Sequence, residues 1–200
     1  GGQPIARILL LGDSILDNGT YVAAGEPDIA AQISAHGHDV EMAAVDGSRA
    51  IDVRVPELSF APDLTVLSVG GNDALEQIGF LADPEELTFA AAMTRLRGIG
   101  ERFRAVYAPL LDQVPRPTLI LTIYHPNFGP EEQDLQTPAE GALLAFNDVI
   151  MSEALARSCE ILDIRRLFTG PGDYANPIEP SAKGGAKIAA AIHAAASRVY

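Results

Sequence analysis

The chain has 200 residues, 48% apolar and 20% charged, with a formal net charge of -13; this is an ordinary globular composition, with enough apolar material for a sizeable core. With 14 basic against 27 acidic side chains it offers no basic stripe to neutralise phosphates, which argues against nucleic acid or an anionic membrane as partner. The single cysteine, Cys159, excludes an internal disulfide and a cysteine-based metal site, and no apolar run approaches the roughly eighteen residues of a membrane span.

Strand-like apolar runs recur at Ile5 to Leu11, Val40 to Val45, Leu64 to Val69, Thr118 to Ile123 and Ile161 to Ile164, with longer segments of helical character between them. Strands alternating with helices make βαβ units and a parallel sheet. Ile8 to Leu11 is continuously apolar, as expected of a strand covered on both faces, and Gly12-Asp13-Ser14 follows it. Pro27 to Ala35 reads as the first helix, with Pro27 in its first turn and Gly37 at its end. His36 and His38 flank that glycine as solvated turn residues. Asp46-Gly47-Ser48 follows the second strand and Gly70-Gly71-Asn72-Asp73 the third.

From Pro84 to Gln113, apolar residues such as Leu96, Ile99, Phe103 and Leu110 recur at helical spacing, with Gly98 and Gly100 as interruptions that would kink the helix. Pro115 and Pro117 end it. The fourth strand leads into Tyr124-His125-Pro126-Asn127-Phe128-Gly129. The acidic run Pro130 to Asp134 reads as a solvated loop, and another helix starts near Thr137. A Gly/Pro-rich loop from Thr169 to Ser181 follows the last strand and precedes an alanine-rich helix, on which His193 is a surface or packing residue. Without repeats, low-complexity tracts or linkers, residues 1–200 read as one domain. The start Gly1-Gly2-Gln3, without methionine, reads as a cloning remnant or a processed end.

The first three strands deliver Ser14, Gly47 and Asn72 at their carboxyl ends, where open α/β sheets bind ligands. A serine hydroxyl can attack a carbonyl carbon while its own N–H, the Gly47 N–H and the Asn72 amide donate to the developing oxyanion. Gly47 has no Cβ, so a substrate oxygen can approach its backbone closely. Each residue alone also reads as turn chemistry; it is their placement after three successive strands that points to a site. Asp13 reads as a turn-shaping residue bonded to nearby backbone. Tyr124, Pro126, Asn127 and Phe128, at the exit of the fourth strand, read as the wall of a substrate pocket.

Gly12-Asp13-Ser14, Gly47 and the G-x-N-D of Gly70-Gly71-Asn72-Asp73 resemble the successive blocks of the SGNH, or GDSL-type, hydrolases, a family of esterases, lipases and carbohydrate acyl-esterases. The resemblance runs over nearly the whole chain. It implies a flavodoxin-like three-layer α/β/α sandwich with a five-stranded parallel sheet, Ser14 as nucleophile, the Ser14 N–H, Gly47 N–H and Asn72 amide as oxyanion donors, and no metal or other cofactor. The last block departs from the family. Where the pattern has D-x-x-H before a proline, a small residue and a helix, this chain has Asn176-Pro177-Ile178-Glu179-Pro180-Ser181, with asparagine for the aspartate and glutamate for the histidine base.

Three readings of that departure are open. In the first, Glu179 takes the serine proton directly, and Asn176 donates a hydrogen bond to it in place of an aspartate that would only repel a carboxylate. This requires a carboxylate within about 2.6–3.2 Å of the Ser14 hydroxyl. In the second, His125 supplies the imidazole from the fourth strand's exit; as the alternative, it is a loop histidine contacting backbone or substrate. In the third, the site binds but barely turns over. The expectation is a hydrolase acting on small or medium carboxylic esters through Ser14, with a small-molecule ester as partner and Glu179 first among the bases. The rival is a catalytically weak binding module for acyl or carbohydrate ligands. A nucleotide or receiver domain would leave Ser14 and Asn72 unexplained and lacks a phosphate-binding motif. Oligomeric state and compartment stay open, with a soluble, cytoplasmic chain the expectation carried forward.

Overall fold

A computed structural model describes residues 6–81 and 87–199. The expected strand residue Ile5 and the expected helix start Pro84 lie outside them. In chain order the elements are β1 (Arg7–Gly12), α1 (Ile29–Ala35), β2 (Asp39–Met42), β3 (Leu64–Ser68), α2 (Gly71–Leu75), α3 (Ile78–Leu81), α4 (Phe89–Leu111), β4 (Thr118–Leu121), α5 (Gln133–Ala156), β5 (Glu160–Leu162) and α6 (Ala182–Val199). The five strands form one parallel sheet in the order β2-β1-β3-β4-β5, the doubly wound, flavodoxin-like order.

Side chains alternate across each strand, and the two sides of β1 therefore feed two cores. Leu9 and Leu11 join Leu67 and Ile120 against Phe103 and Tyr107 of α4 and Phe146 and Val149 of α5. Ile8 and Leu10 join Leu64, Val66 and Leu119 against Ile29 and Ile33 of α1 and Ile188 and Ile192 of α6. A strand covered on both faces has no solvated side to show, which is why β1 reads as the unbroken apolar run Ile8 to Leu11 and β3 and β4 as largely apolar runs whose Thr65, Ser68 and Thr118 are buried too. The sheet order reverses direction between β1 and β3, so the crevice at their carboxyl ends is the natural ligand position.

The helices differ from the sequence reading in their ends. Asp28 caps α1 by accepting the Ala31 N–H at 2.8 Å, which leaves Pro27 before the helix. α4 starts at Phe89, capped by Thr88, and runs on through Gly98 and Gly100. Gly100 faces α5, where a Cβ would make ordinary van der Waals contact with Ala145 and Val149 at 3.7 and 3.9 Å. The acidic run is not a loop, since Pro130–Glu132 forms a helical turn that leads into α5 at Gln133. Its carboxylates sit at a helix start, where the dipole favours them.

His38 corrects a second expectation, whereas His36 stays an exposed turn residue and His193 a packing residue, as read. Packing of α1 and the start of β2 against α6 brings them together, with His38 Nε2 2.9 Å from His193 Nδ1 and the His36 ring stacked on His193 at 4.5 Å. His38 is buried, and burial, followed by the neighbouring imidazoles, pulls its pKa below 6.5. A histidine with a lowered folded pKa leaves stability intact above the unfolded value and removes it as pH falls through the folded one. The melting temperature is therefore expected to fall between about pH 7.5 and about pH 5.5. Replacing His38 by asparagine should flatten that fall, and an equal fall in the variant would clear His38 of the role.

Candidate active site

The Ser14 turn is set by β1 ending against β3. Gly12 adopts φ +127°, and a Cβ there would lie 1.8 Å from the Ser68 carbonyl oxygen, so only glycine fits. Asp13 N–H then donates to Ser68 O at 3.0 Å. One helical turn follows, in which Leu16 and Asp17 N–H donate to Asp13 O and Ile15 N–H donates to Asp13 Oδ1 at 3.1 Å. Among the described residues none of these bonds uses the Ser14 N–H, which sits where a first turn leaves its donors open. Asp13 thus bonds the backbone, as read from the sequence.

Glu179 reaches Ser14 across 165 positions of chain. The Ser14 hydroxyl donates to Glu179 Oε1 at 2.9 Å in a buried hydrogen bond, within the distance a carboxylate base requires. The loop carrying Glu179 is pinned from several sides: Tyr124 OH donates to Ile178 O at 2.6 Å, Asn127 N–H to Pro177 O at 2.8 Å and Ala175 N–H to Glu179 O at 2.8 Å. Buried Asn18 ties this loop to the Ser14 segment, donating to Pro180 O at 3.3 Å and accepting the Ile29 N–H at 2.9 Å. Asn18 had no signal in the sequence beyond its type, a buried amide able to bond three segments at once.

Asn176 does not do what the sequence suggested. Its Oδ1 accepts the backbone N–H groups of Ile178 and Glu179, both at 3.0 Å. An asparagine readily bonds its own backbone two and three residues on, so it shapes the Glu179 turn rather than donating to the carboxylate.

Asn72 Nδ2 donates to Ser48 O at 3.0 Å, leaving its second N–H for a ligand, and Asp73 accepts the Ala50 N–H at 3.0 Å. Together they hold the Gly47-Ser48 turn to the start of α2. Gly47, at φ +82° with open space where a Cβ would be, is exposed and accessible to a substrate oxygen. Ser14, Asn72 and Glu179 line one cavity of about 100 Å³, whose wall includes Tyr124, Pro126 and Phe128. Asn127 is exposed and contributes only its backbone to the loop. His125 is likewise outside that lining: its ring is 42% exposed, with Nδ1 3.8 Å from Glu140 of α5, while its carbonyl accepts the Tyr174 hydroxyl at 2.8 Å.

Burial separates the carboxyl groups of the site by function. Asp13, 1% exposed, is pushed up to about 8, mainly by burial and against the lowering effect of the Ile15 N–H, so its charged form is disfavoured. Burial also raises Glu179, the Ser14 hydroxyl opposes it, and the charge of Asp46 adds to it. Asp46 in turn accepts the Tyr21 hydroxyl at 3.0 and 2.9 Å. Among the described residues Glu179 Oε2 is buried without a hydrogen-bond partner, so the carboxylate keeps an uncommitted acceptor beside the serine. Among the described residues, no group of three or more His, Cys, Asp or Glu is arranged to hold a metal ion, and no helix is long and apolar enough to cross a membrane.

Residues 10–187 match the GDSL-like lipase/acylhydrolase family. No curated protein matches the chain in sequence. Among solved structures, an extracellular lipase from Streptomyces rimosus superposes with a TM-score of 0.69 at 18% identity, covering 96% of this chain and 100% of its own. The acetyl xylan esterase AlAXEase gives 0.65 at 16% identity, over 94% and 98%. A catalytic mutant of Axe2, an acetylxylan esterase from Geobacillus stearothermophilus, gives 0.61 at 16%, over 94% and 92%. At these identities the likeness is one of fold.

Proposed function

The chain belongs to the GDSL-like lipase/acylhydrolase family, which supports ester hydrolysis as its activity, and from that premise we propose that it works through a Ser14 acyl-enzyme with Glu179 as the base. The observation that carries this reading is the buried 2.9 Å hydrogen bond from the Ser14 hydroxyl to Glu179 Oε1. Residues 1–200 are read as a single catalytic domain for this reaction.

In the first half-reaction Ser14 Oγ attacks the ester carbonyl carbon and its proton passes to Glu179. The carbonyl oxygen becomes an oxyanion, for which the Ser14 N–H, the free Asn72 N–H and the Gly47 N–H are the donors. Protonated Glu179 then gives its proton to the leaving alkoxide as the C–O bond breaks. In the second half a water loses a proton to Glu179, its oxygen attacks the acyl carbon, and Ser14 recovers a proton as the carboxylic acid departs. Raising the Glu179 pKa by burial makes it a better proton acceptor than an exposed glutamate. Disfavouring the Asp13 charge by burial lowers the repulsion beside it.

Turnover of p-nitrophenyl acetate by the wild-type chain and its loss in Ser14→Ala test the reading. A fluorophosphonate should add to Ser14, seen by peptide mass spectrometry; ester hydrolysis without an adduct there would move the nucleophile elsewhere, and no hydrolysis at all would favour a binding module. Asn72→Ala removes one oxyanion donor and is expected to lower kcat on the order of 10²- to 10³-fold. A loss confined to KM would instead make Asn72 a contact to the ground-state ester.

A further inference from the structure

Resting on the ester-hydrolase reading, we propose that the cavity beside Ser14 is an acyl pocket for a linear, uncharged chain well beyond acetyl in length. The cavity begins at Ser14 and Glu179 and runs between the α2–α3 segment, which contributes Leu75, Ile78 and Phe80, and the inner face of α5. Ile78 is 37% exposed, an apolar side chain that a bound chain would cover. On α5 the wall is opened by two small residues, Ala139 and Ala142.

The polar groups exclude other occupants. Among the described residues, the ionisable side chains of the lining include no Lys, Arg or His, only the acids Asp13 and Glu179 and the phenol of Tyr124. An acyl group ending in a carboxylate would therefore enter without a counter-charge, against a chain of net charge -13. Tyr124 donates its hydroxyl to Ile178 O at 2.6 Å, and away from the Ser14 end Gln77 is the one uncharged polar side chain left among the described lining residues, so the hydroxyls of a sugar would find few partners there. A carbohydrate, where the ester contains one, belongs on the alcohol side. The alcohol must also leave before water can enter, whereas the acyl chain stays attached through both half-reactions, so the walled apolar space serves the acyl group. The new carboxylate product forms beside Glu179, and like charge favours its release.

The test is kcat/KM for p-nitrophenyl acetate, butyrate, hexanoate and octanoate, together with ethyl hexanoate against hexyl acetate. Each methylene taken out of water is worth about fourfold, so hexanoate should exceed acetate at least tenfold, and ethyl hexanoate should exceed hexyl acetate. Ala142→Phe, and independently Ala139→Leu, should lower the hexanoate-to-acetate ratio by about tenfold or more by filling the α5 wall. A flat or falling series in a wild-type enzyme that does hydrolyse acetate would overturn the pocket and leave the Ser14 chemistry standing. Preference for hexyl acetate would put the alcohol in the cavity and overturn it equally. Failure to hydrolyse any of these esters would instead strike the underlying reading.

Discussion

Glu179→Gln is expected to lower kcat by on the order of 10⁴-fold, the upper range for loss of a general base, without lowering the melting temperature. Glutamine keeps the shape of the side chain, and its amide oxygen can still accept the Ser14 hydroxyl that now bonds Oε1 at 2.9 Å. It has no useful basicity, so the proton has nowhere to go as the C–O bond forms. The stability arm follows from the direction of the pKa. Burial raises Glu179 above 4.5, so its contribution to stability is present below that value and lost as pH rises through the folded one. At neutral pH the buried charge is a burden on the fold, and the neutral amide removes it. Activity lost with stability kept is the signature of a base; loss of both would make the residue a structural pin of its loop.

The pH profile gives a second readout. Activity needs ionised Glu179, so the acid limb of kcat/KM should lie above 4.5 and behave as a neutral acid. An organic cosolvent should move it upward, because ionising a carboxylic acid creates charge, whereas the limb of an imidazolium would scarcely move. His125→Ala should retain most of the activity, since its ring faces Glu140 and solvent. A severe loss there, with Glu179→Gln mild, would transfer the base role to the fourth strand's exit.

The fold was legible where a local rule and the tertiary structure agree. Strands covered on both faces are largely apolar runs, and β1, β3 and β4 announced themselves that way, while the glycine before Asp13 and the G-x-N-D after β3 marked the two loops at the sheet's switch point. Contacts between distant segments were not legible. His36, His38 and His193 looked like separate polar residues because nothing local records that α1 packs on α6. Asn18 and the apolar side chains of α2 and α3 were missed for the same reason. Asn176 was placed correctly and given the wrong bond, since an asparagine two residues before a backbone N–H satisfies that group before it reaches for a side chain. Glu179 was found only because its segment is flanked like the block it departs from.

Gly12→Ala should unfold the site from beneath. The residue sits at φ +127°, outside what an L side chain adopts, and the new Cβ would stand 1.8 Å from Ser68 O and 2.6 Å from Ser68 C, both backbone atoms of the adjacent central strand. No rotamer relieves that overlap, so β1 and β3 must separate where Asp13 N–H donates to Ser68 O, which also disturbs the bond from Val45 N–H, after β2, to Gly12 O. The backbone strain alone is worth about 1–3 kcal/mol, and the steric clash adds to it, so a loss of about 3 kcal/mol or more is expected by denaturant unfolding. Any folded fraction should also be a poor enzyme, because a shift of about 1 Å in the nucleophile can lower the rate on the order of 10²-fold. Gly141→Ala is the control. It lies inside α5 with nothing within 4 Å of the added Cβ, and there alanine should stabilise by up to about 1 kcal/mol. Opposite signs for the two substitutions would tie the effect to the Gly12–Ser68 contact, whereas a harmless Gly12→Ala would mean that the β1 exit can rearrange and that the position of Ser14 is set by the Glu179 loop instead.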